Sequence, residues 1–260
     1  MTQAWGFRPG TLDRMIFDAV VALDEYRLPE RFEPDDVVVD VGAHIGSFAY
    51  AVVLRGGEHV WSIEPDPTNH AVAAEHLRPY VDQGHVRLMQ AAVWRSDPND
   101  DELRFDGYHA FPQSYPGMEG IVNTGNGSVV WGLGEPVAKI AFDEVVDLAT
   151  NGGARRVRLL KLDCEGAEWP ILLTSRRLHL IDEIVGEFHE VGGPFPEIGE
   201  NRPSNAHVFG SARVAAFTIE ELVRVLCDAG FYVTYDRHMR PDGVLEGLGL
   251  FFATRDHGAS

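Results

Sequence analysis

Basic residues are scarce in this chain. Lys and Arg total 22 against 40 Asp and Glu, a formal net charge of −18 over 260 residues. Binding to phosphate backbones or anionic membranes needs a basic face, so neither nucleic acid nor membrane is expected as a partner. The acidity is first of all a solvated surface, and its long-range field favours a neutral or cationic small molecule. Long apolar runs are also missing; none approaches the ~18 residues of a transmembrane helix. The opening Met1-Thr2-Gln3-Ala4-Trp5-Gly6 has neither a basic region nor an apolar core, so no secretory signal is expected there. Two cysteines, Cys164 and Cys227, build no disulfide framework. Both lie in apolar-periodic segments and read as buried thiols of a cytoplasmic protein. No internal repeat or composition shift marks a second domain, and 45% hydrophobic residues suffice for a full core.

One further absence is informative. A run of β-branched residues, Val37-Val38-Val39-Asp40-Val41, reads as a buried strand. It breaks at Gly42 and Gly46, and an apolar helical pattern follows through Phe48, Ala49, Val52 and Val53. Strand, glycine turn and helix open a nucleotide-binding α/β fold. A dinucleotide site wants G-x-G-x-x-G, but those positions hold Gly42, His44 and Ser47. Asp40 instead gives D-x-G-x-x-x-G, and Glu64 closes a second strand, His59–Ile63. A carboxylate there can accept both ribose hydroxyls. An acid at the turn without the phosphate glycines points to a nucleoside lacking pyrophosphate, S-adenosylmethionine (SAM) above all.

Asp40-Val41-Gly42-Ala43-His44-Ile45-Gly46, Glu64-Pro65-Asp66-Pro67, Phe142-Asp143-Glu144 and Lys161-Leu162-Asp163-Cys164-Glu165-Gly166-Ala167-Glu168 together resemble the FkbM-type SAM-dependent methyltransferases. The resemblance runs from about Asp35 to Glu190, and the K-x-D-x-E-G-A-E run is its most specific element. His44 stands where the family often has Asn, and Phe142 where Leu is usual. The resemblance implies a small-molecule acceptor, O-methylation of a sugar-like or secondary-metabolite hydroxyl, and S-adenosylhomocysteine (SAH) as product. Three alternatives remain: N-methylation of an amino sugar or other amine, a nicotinamide-dependent oxidoreductase, and a SAM-binding module without turnover.

In chain order, Thr11 is read as N-cap of a helix from Leu12 to Tyr26, with Leu12, Met15, Ile16, Ala19, Val20 and Leu23 as its apolar face. Residues 1–34 form an N-terminal helical extension, and 35–260 one SAM-binding domain. Thr68 or Asn69 caps a helix ending near Pro79, and Val86–Val93 is the third strand. Ala91 and Ala92 leave room for a flat ring, which the resemblance makes the adenine. A loop from Asp97 to Pro136 reads as a substrate lid, with a short hairpin around Asn123-Thr124-Gly125-Asn126-Gly127. Val137–Ala141 is a strand, Asp143 caps a helix to Thr150, Val157–Leu162 is a strand, and Glu168–Ser175 is a short helix. Glu183–His189 is the fifth core strand, and Val191–Arg213 is a second lid loop. Thr218-Ile219-Glu220-Glu221 is a capping box on a helix to Ala229. Phe231–Tyr235 and Gly249–Thr254 are joined too closely for a helical crossover and so pair antiparallel. The expected fold is α/β: a class I methyltransferase, Rossmann-like, seven-stranded and mostly parallel sheet with an antiparallel C-terminal hairpin and helices on both faces.

Ligands of open α/β sheets sit beyond the carboxyl ends of the strands, where Asp40, Glu64, Asp163 and Glu187 fall. Strand alternation would put Asp163 with Glu165, and Glu187 with His189. Candidate proton acceptors are His189, whose ordinary pKa is nearest neutrality, then Asp163, with Glu187 orienting base or acceptor. The cofactor set is Asp40, Gly42, Ala43, His44, Gly46, Ser47, Glu64, Pro65, Ala91, Ala92 and Asp163. Arg8, Tyr26, Glu165 and Trp131 are candidate acceptor contacts. Asp163, Glu165, Glu187 and His189 could chemically hold Mg²⁺ or Mn²⁺, but their spacing matches no metal motif, so no metal is expected.

Overall fold

In the computed structural model, residues 5–107, 109–110, 118, 120–190, 217–239 and 245–255 are described. Seven strands form the central sheet: β1 (Val37–Val41), β2 (His59–Ile63), β3 (Val86–Met89), β4 (Val157–Leu162), β5 (Ile181–His189), β6 (Phe231–Met239) and β7 (Leu245–Arg255). Their spatial order is β6-β7-β5-β4-β1-β2-β3. The first five run parallel, while β7 pairs antiparallel with both β5 and β6. The expected sheet is therefore present. Chain direction reverses its lateral progress between β1 and β4, and the crevice at their carboxyl ends is where such sheets bind ligands.

The helices are α1 (Asp13–Phe17), α2 (Ser47–Leu54), α3 (Pro67–Asp82), α4 (Phe142–Thr150), α5 (Glu168–Thr174) and α6 (Ile219–Asp228). Alternating strand faces feed two cores. Val37, Val39 and Val41 of β1 pack with α4, α5 and α6 on one side, whereas Val38 packs with α2, α3 and the N-terminal segment on the other. A parallel strand buried on both faces needs this continuous apolar run, and all five β1 residues are buried.

Local differences from the sequence reading have identifiable causes. The helix expected over Leu12–Tyr26 stops early: α1 gives way to a π-helical turn at Asp18–Ala22. Left-handed residues follow at Asp24 (φ 53°) and Arg27 (φ 52°). That break turns Tyr26 into the core at 4% exposure and leaves Leu23 77% exposed. Leu12, not Thr11, is the N-cap residue, although the Thr11 hydroxyl accepts from the Asp13 N–H. Asp66 caps α3, accepting from Asn69 N at 2.7 Å, and the helix carries Pro79 in its last turn and continues to Asp82. A proline there forfeits one intrahelical bond near an end that frays anyway. The third strand splits, because Ala92–Trp94 leaves β3 and pairs with Lys139–Ala141. Val137 therefore precedes its expected strand.

Ala141 precedes α4 as its N-cap, and Asp143 lies in the first turn, where it accepts from Ser175 Oγ and Arg176 N. Thr218 makes no side-chain cap; Glu190 takes the Ile219 N–H instead. Asn123–Gly127 is not a hairpin tip. His109–Ala110 pairs with Val122–Asn123 and Asp106 bridges Ser128, so this stretch bulges from the returning arm. Cys227 is exposed and Cys164 half-buried, so neither is a core thiol. The second lid loop, Val191–Arg213, lies outside the described residues. Among the described residues, no helix is long and apolar enough to cross a membrane.

Candidate functional site

The carboxyl ends of β1 and β4 abut. Gly42 has φ +80°, and a Cβ built on it would lie 1.8 Å from the Asp163 carbonyl oxygen, so only glycine fits. Gly46 (φ +89°) forms the N-cap of α2, where an added Cβ would meet the Leu77 side chain of α3 at 2.8 Å. It serves helix packing and does not line the cavity below.

Above these turns opens a cavity of about 670 Å³. Its wall includes Gly42, Ala43, His44, Ser47, Glu64, Pro65, Ala91 and Ala92, together with Tyr26, Asp163, Glu165, Glu187 and His189. Besides Gly46, three expected residues are not in this wall. Asp40 is fully buried beneath it, accepting from Ser62 Oγ at 2.7 Å and lying 3.5 Å from Lys161 Nζ. Arg8 is committed to Asp13 and Asn69. Trp131 lies outside it as well.

Glu64 is 4% exposed, and each of its oxygens accepts one backbone N–H, from His44 at 2.7 Å and Asp66 at 2.9 Å. Burial outweighs those two donors and pushes its carboxyl up to about 8. Burial together with the Asp163 charge lifts Glu25 to about 7, and burial lifts Glu165 to about 7 despite His189 beside it.

Residues 163–167 leave the strand path. Glu165 adopts φ 53° and Gly166 φ 97°, so strand alternation does not place Asp163 and Glu165. Glu168 does: its carboxylate accepts from Cys164 N (2.8 Å) and Gly166 N (2.9 Å), fixing the turn. Glu187 and His189, by contrast, are within β5 and share a face as expected. His189 Nε2 is 3.3 Å from Glu165 Oε2 and 3.9 Å from Glu187 Oε2. Burial alone would depress this imidazole, but Glu165, Glu168 and Glu187 hold it well above its ordinary value. The reason for preferring it as base, a pKa near neutrality, does not survive in this environment. Asp163 accepts from the Tyr26 hydroxyl at 3.0 Å.

Lys161, within the K-x-D-x-E-G-A-E run, is not among the expected site residues but lines the cavity. It is 3% exposed, donates to the Gly42 carbonyl, and stands between Asp40 (3.5 Å) and Asp163 (3.6 Å). Burial works against its charge, and those two carboxylates keep it protonated. His238 on β6 lies 3.5 Å from Glu187, and no sequence pattern could have brought it there.

The roof of the cavity is latched by Thr124. Its hydroxyl donates to Asp13 Oδ1 at 2.8 Å, its Oγ1 is 2.8 Å from His44 Nε2, and its carbonyl accepts from Asn69 Nδ2. Because the Asp13 carboxylate can only accept, the hydroxyl proton is spent on it and His44 Nε2 carries the other proton. Thr124→Val keeps the shape and leaves His44 Nε2 without its acceptor, while Asp13 keeps Arg8. It is expected to cost about 1–3 kcal/mol, read by urea unfolding; a change within error would show the latch contributes nothing. Burial depresses His44 from 6.5 to about 4. The unfolded chain therefore binds the extra proton, and stability falls as pH drops from 6.5 towards 4. Relative to His44→Asn, wild type should lose stability across that window, and parallel curves would refute it.

A family profile described as "Methyltransferase FkbM domain" matches residues 40–233. No curated protein matches the chain. Among solved structures, an FkbM methyltransferase from Methylobacillus flagellatus KT is 18% identical, with 90% of this chain and 47% of that one covered and a TM-score of 0.47. This chain thus spans about half of that relative's length. Precorrin-6y C5,15-methyltransferase from Geobacter metallireducens GS-15 is 12% identical (98% and 95% covered, TM-score 0.45). Magnesium protoporphyrin IX methyltransferase from Synechocystis PCC 6803, solved with SAH, is 11% identical (94% and 83% covered, TM-score 0.44). At such values none of the three bears on the substrate.

Proposed function

We propose, for a chain that belongs to the methyltransferase FkbM domain family, that it methylates a hydroxyl of a small polar, sugar-like or secondary-metabolite acceptor. Family membership makes it a SAM-dependent methyltransferase and removes the nicotinamide alternative. The observation that carries the acceptor reading is that one cavity is lined by two sets of side chains, which we read as a cofactor half and an acceptor half. Glu64 and the Gly42–Ser47 turn occupy one half; Asp163, Glu187 and His189 occupy the other.

The first half fits SAM. Glu64 already holds one backbone donor on each oxygen, and each oxygen keeps a lone pair for a ribose hydroxyl. Ala91 and Ala92 offer a shallow wall for a flat ring. When bound, SAM supplies a methyl group already activated on a sulfonium. The protein's remaining tasks are to hold the acceptor oxygen in line and to take its proton. Asp163 and Glu187 are the proton acceptors we favour, since His189 is held charged by its carboxylate neighbours. Tyr26 and Lys161 fix the Asp163 carboxylate.

Glu64→Ala should abolish measurable SAM binding in calorimetry while the protein stays folded; unchanged affinity would remove Glu64 from the cofactor site. The acidic cavity also predicts a pH signature. Glu25, Glu64 and Glu165 ionise between about 7 and 8, and a cationic sulfonium favours their charged forms. SAM affinity should therefore rise from pH 6 to pH 8, while that of SAH, a neutral thioether, rises less. A pH-independent SAM/SAH ratio would contradict this placement. The same carboxylates favour an amine acceptor as the second reading, and transfer of labelled methyl to amino sugars but not to polyols would establish it.

A further inference from the structure

The second half of the cavity holds more than a proton acceptor requires. One ligating atom from each of Asp163, Glu187 and His189 lies within 4.8 Å of the others. That span lets modest side-chain movement close all three on one ion at about 2.1–2.4 Å. Carboxylates alone would not distinguish a cation site from an acidic surface, but the histidine does. His189 is 6% exposed, and its Nδ1 is left without a hydrogen bond. Nδ1 faces Glu168 Oε1 at 3.4 Å, and Glu168 is itself anchored by two backbone N–H groups. The Nδ1 proton faces that carboxylate, and a bound cation would displace the other proton from Nε2, the nitrogen directed at Glu187 and Glu165. A carboxylate behind one ring nitrogen, with the other nitrogen turned towards the ligand cluster, is how proteins orient a metal-ligating histidine.

The oxygens are also free to ligate. Among the described residues Asp163 Oδ2 accepts from Tyr26 and faces Lys161, while no hydrogen bond reaches Oδ1. Glu187 faces two imidazoles, His189 at 3.9 Å and His238 at 3.5 Å, and shares the cavity with the Asp163 and Glu165 carboxylates.

We propose that Asp163, Glu187 and His189 bind a divalent transition cation of the Mn²⁺ class, and that the acceptor completes its coordination through two adjacent oxygens. One imidazole beside two carboxylates suits Mn²⁺ better than Mg²⁺, which seldom takes nitrogen. Three protein ligands on the wall of an open cavity leave positions for substrate. A hydroxyl on such an ion loses its proton more readily, and chelation selects vicinal diols or α-hydroxy acids. The chelation half rests on the methyltransferase reading of this cavity; the cation half does not. In sequence these residue types suit a metal but follow no metal-motif spacing; the fold brings the three ligands together from β5 and the turn after β4.

The test is a Mn²⁺ titration of the full chain after chelator treatment, without SAM, followed by the loss of the free-ion electron paramagnetic resonance signal. One site is expected per chain. Glu187→Gln and His189→Ala should each weaken it at least about tenfold, whereas Glu25→Gln, in the same cavity, should leave it unchanged. Circular dichroism confirms that each variant folds, and SAM binding is measured separately on the same samples. No binding by wild type, or equal weakening by Glu25→Gln, overturns the site. Mn²⁺ binding together with methyl transfer that is indifferent to chelator overturns the chelation half alone. Mn²⁺ binding without SAM binding leaves the cation site standing and removes the methyltransferase reading of the cavity.

Discussion

Replacing Lys161 with methionine is expected to cost about 3–5 kcal/mol of folding stability, the usual penalty for removing one partner from a buried ion pair. The register explains why. Ser62, Asp40 and Lys161 are cross-strand neighbours on β2, β1 and β4. They form a polar row through the middle of an otherwise apolar sheet, with Asp40 at 0% and Lys161 at 3% exposure. Without the ammonium, Asp40 keeps only the Ser62 hydroxyl, and the carbonyls of Val41 and Gly42 lose their shared donor. The double variant Asp40→Asn/Lys161→Met should recover part of the loss, because a neutral amide is far cheaper to bury than a lone carboxylate. Denaturant unfolding of the single and double variants measures this coupling. A loss below about 1 kcal/mol for Lys161→Met would mean that water reaches the row, and the burial argument would fail.

Gly42→Ala should be the most damaging single-atom addition in the site. The new methyl would sit 1.8 Å from the Asp163 carbonyl, against backbone that cannot rotate away. The left-handed backbone alone costs an alanine about 1–2 kcal/mol; the clash adds a forced separation of the two strand ends that frame the cavity. Misplacement of about 1 Å at a reacting site costs on the order of a hundredfold in rate, and at least that loss of methyl transfer is expected. Gly152→Ala is the control, since φ there is +67° with nothing within 4 Å of the added Cβ. It carries the same kind of backbone strain without the clash. Comparable losses of activity in the two variants would show that strain, not the approach of β1 to β4, is what Gly42 relieves.

Much of this architecture was legible locally. The Val37–Val41 run, the glycines at 42 and 46 and the second strand ending at Glu64 each follow from short-range rules: β-branched packing, positive φ, apolar periodicity. The same holds for the antiparallel pairing of the last two strands, whose connection is too short to cross over. Boundaries were less legible. Tertiary contacts override helix periodicity at Asp24 and Arg27 so that Tyr26 can reach Asp163. They also pull Ala92–Trp94 out of β3 to pair with Lys139–Ala141. At the site, Glu64, Asp163, Glu187 and His189 were identifiable because acidic residues and an imidazole end otherwise apolar strands.

The direction of each carboxylate was a different matter. Asp40 and Glu64 look equivalent in sequence, as acids at the ends of neighbouring strands. Asp40 turns into the sheet because Lys161 and Ser62 await it across the register, while Glu64 faces the cavity with two backbone donors behind it. Thr124 and His238 join the cavity wall from segments 80 residues beyond His44 and on the antiparallel edge. The sequence by itself determined the core strands, the glycine turns and the family, because those depend on residues close together in the chain. Only the tertiary structure decided which charges are buried in pairs and which are left facing one another across the cavity. Charge compensation acts through space over a few ångströms, and the partners are supplied by strands and loops that lie far apart along the chain.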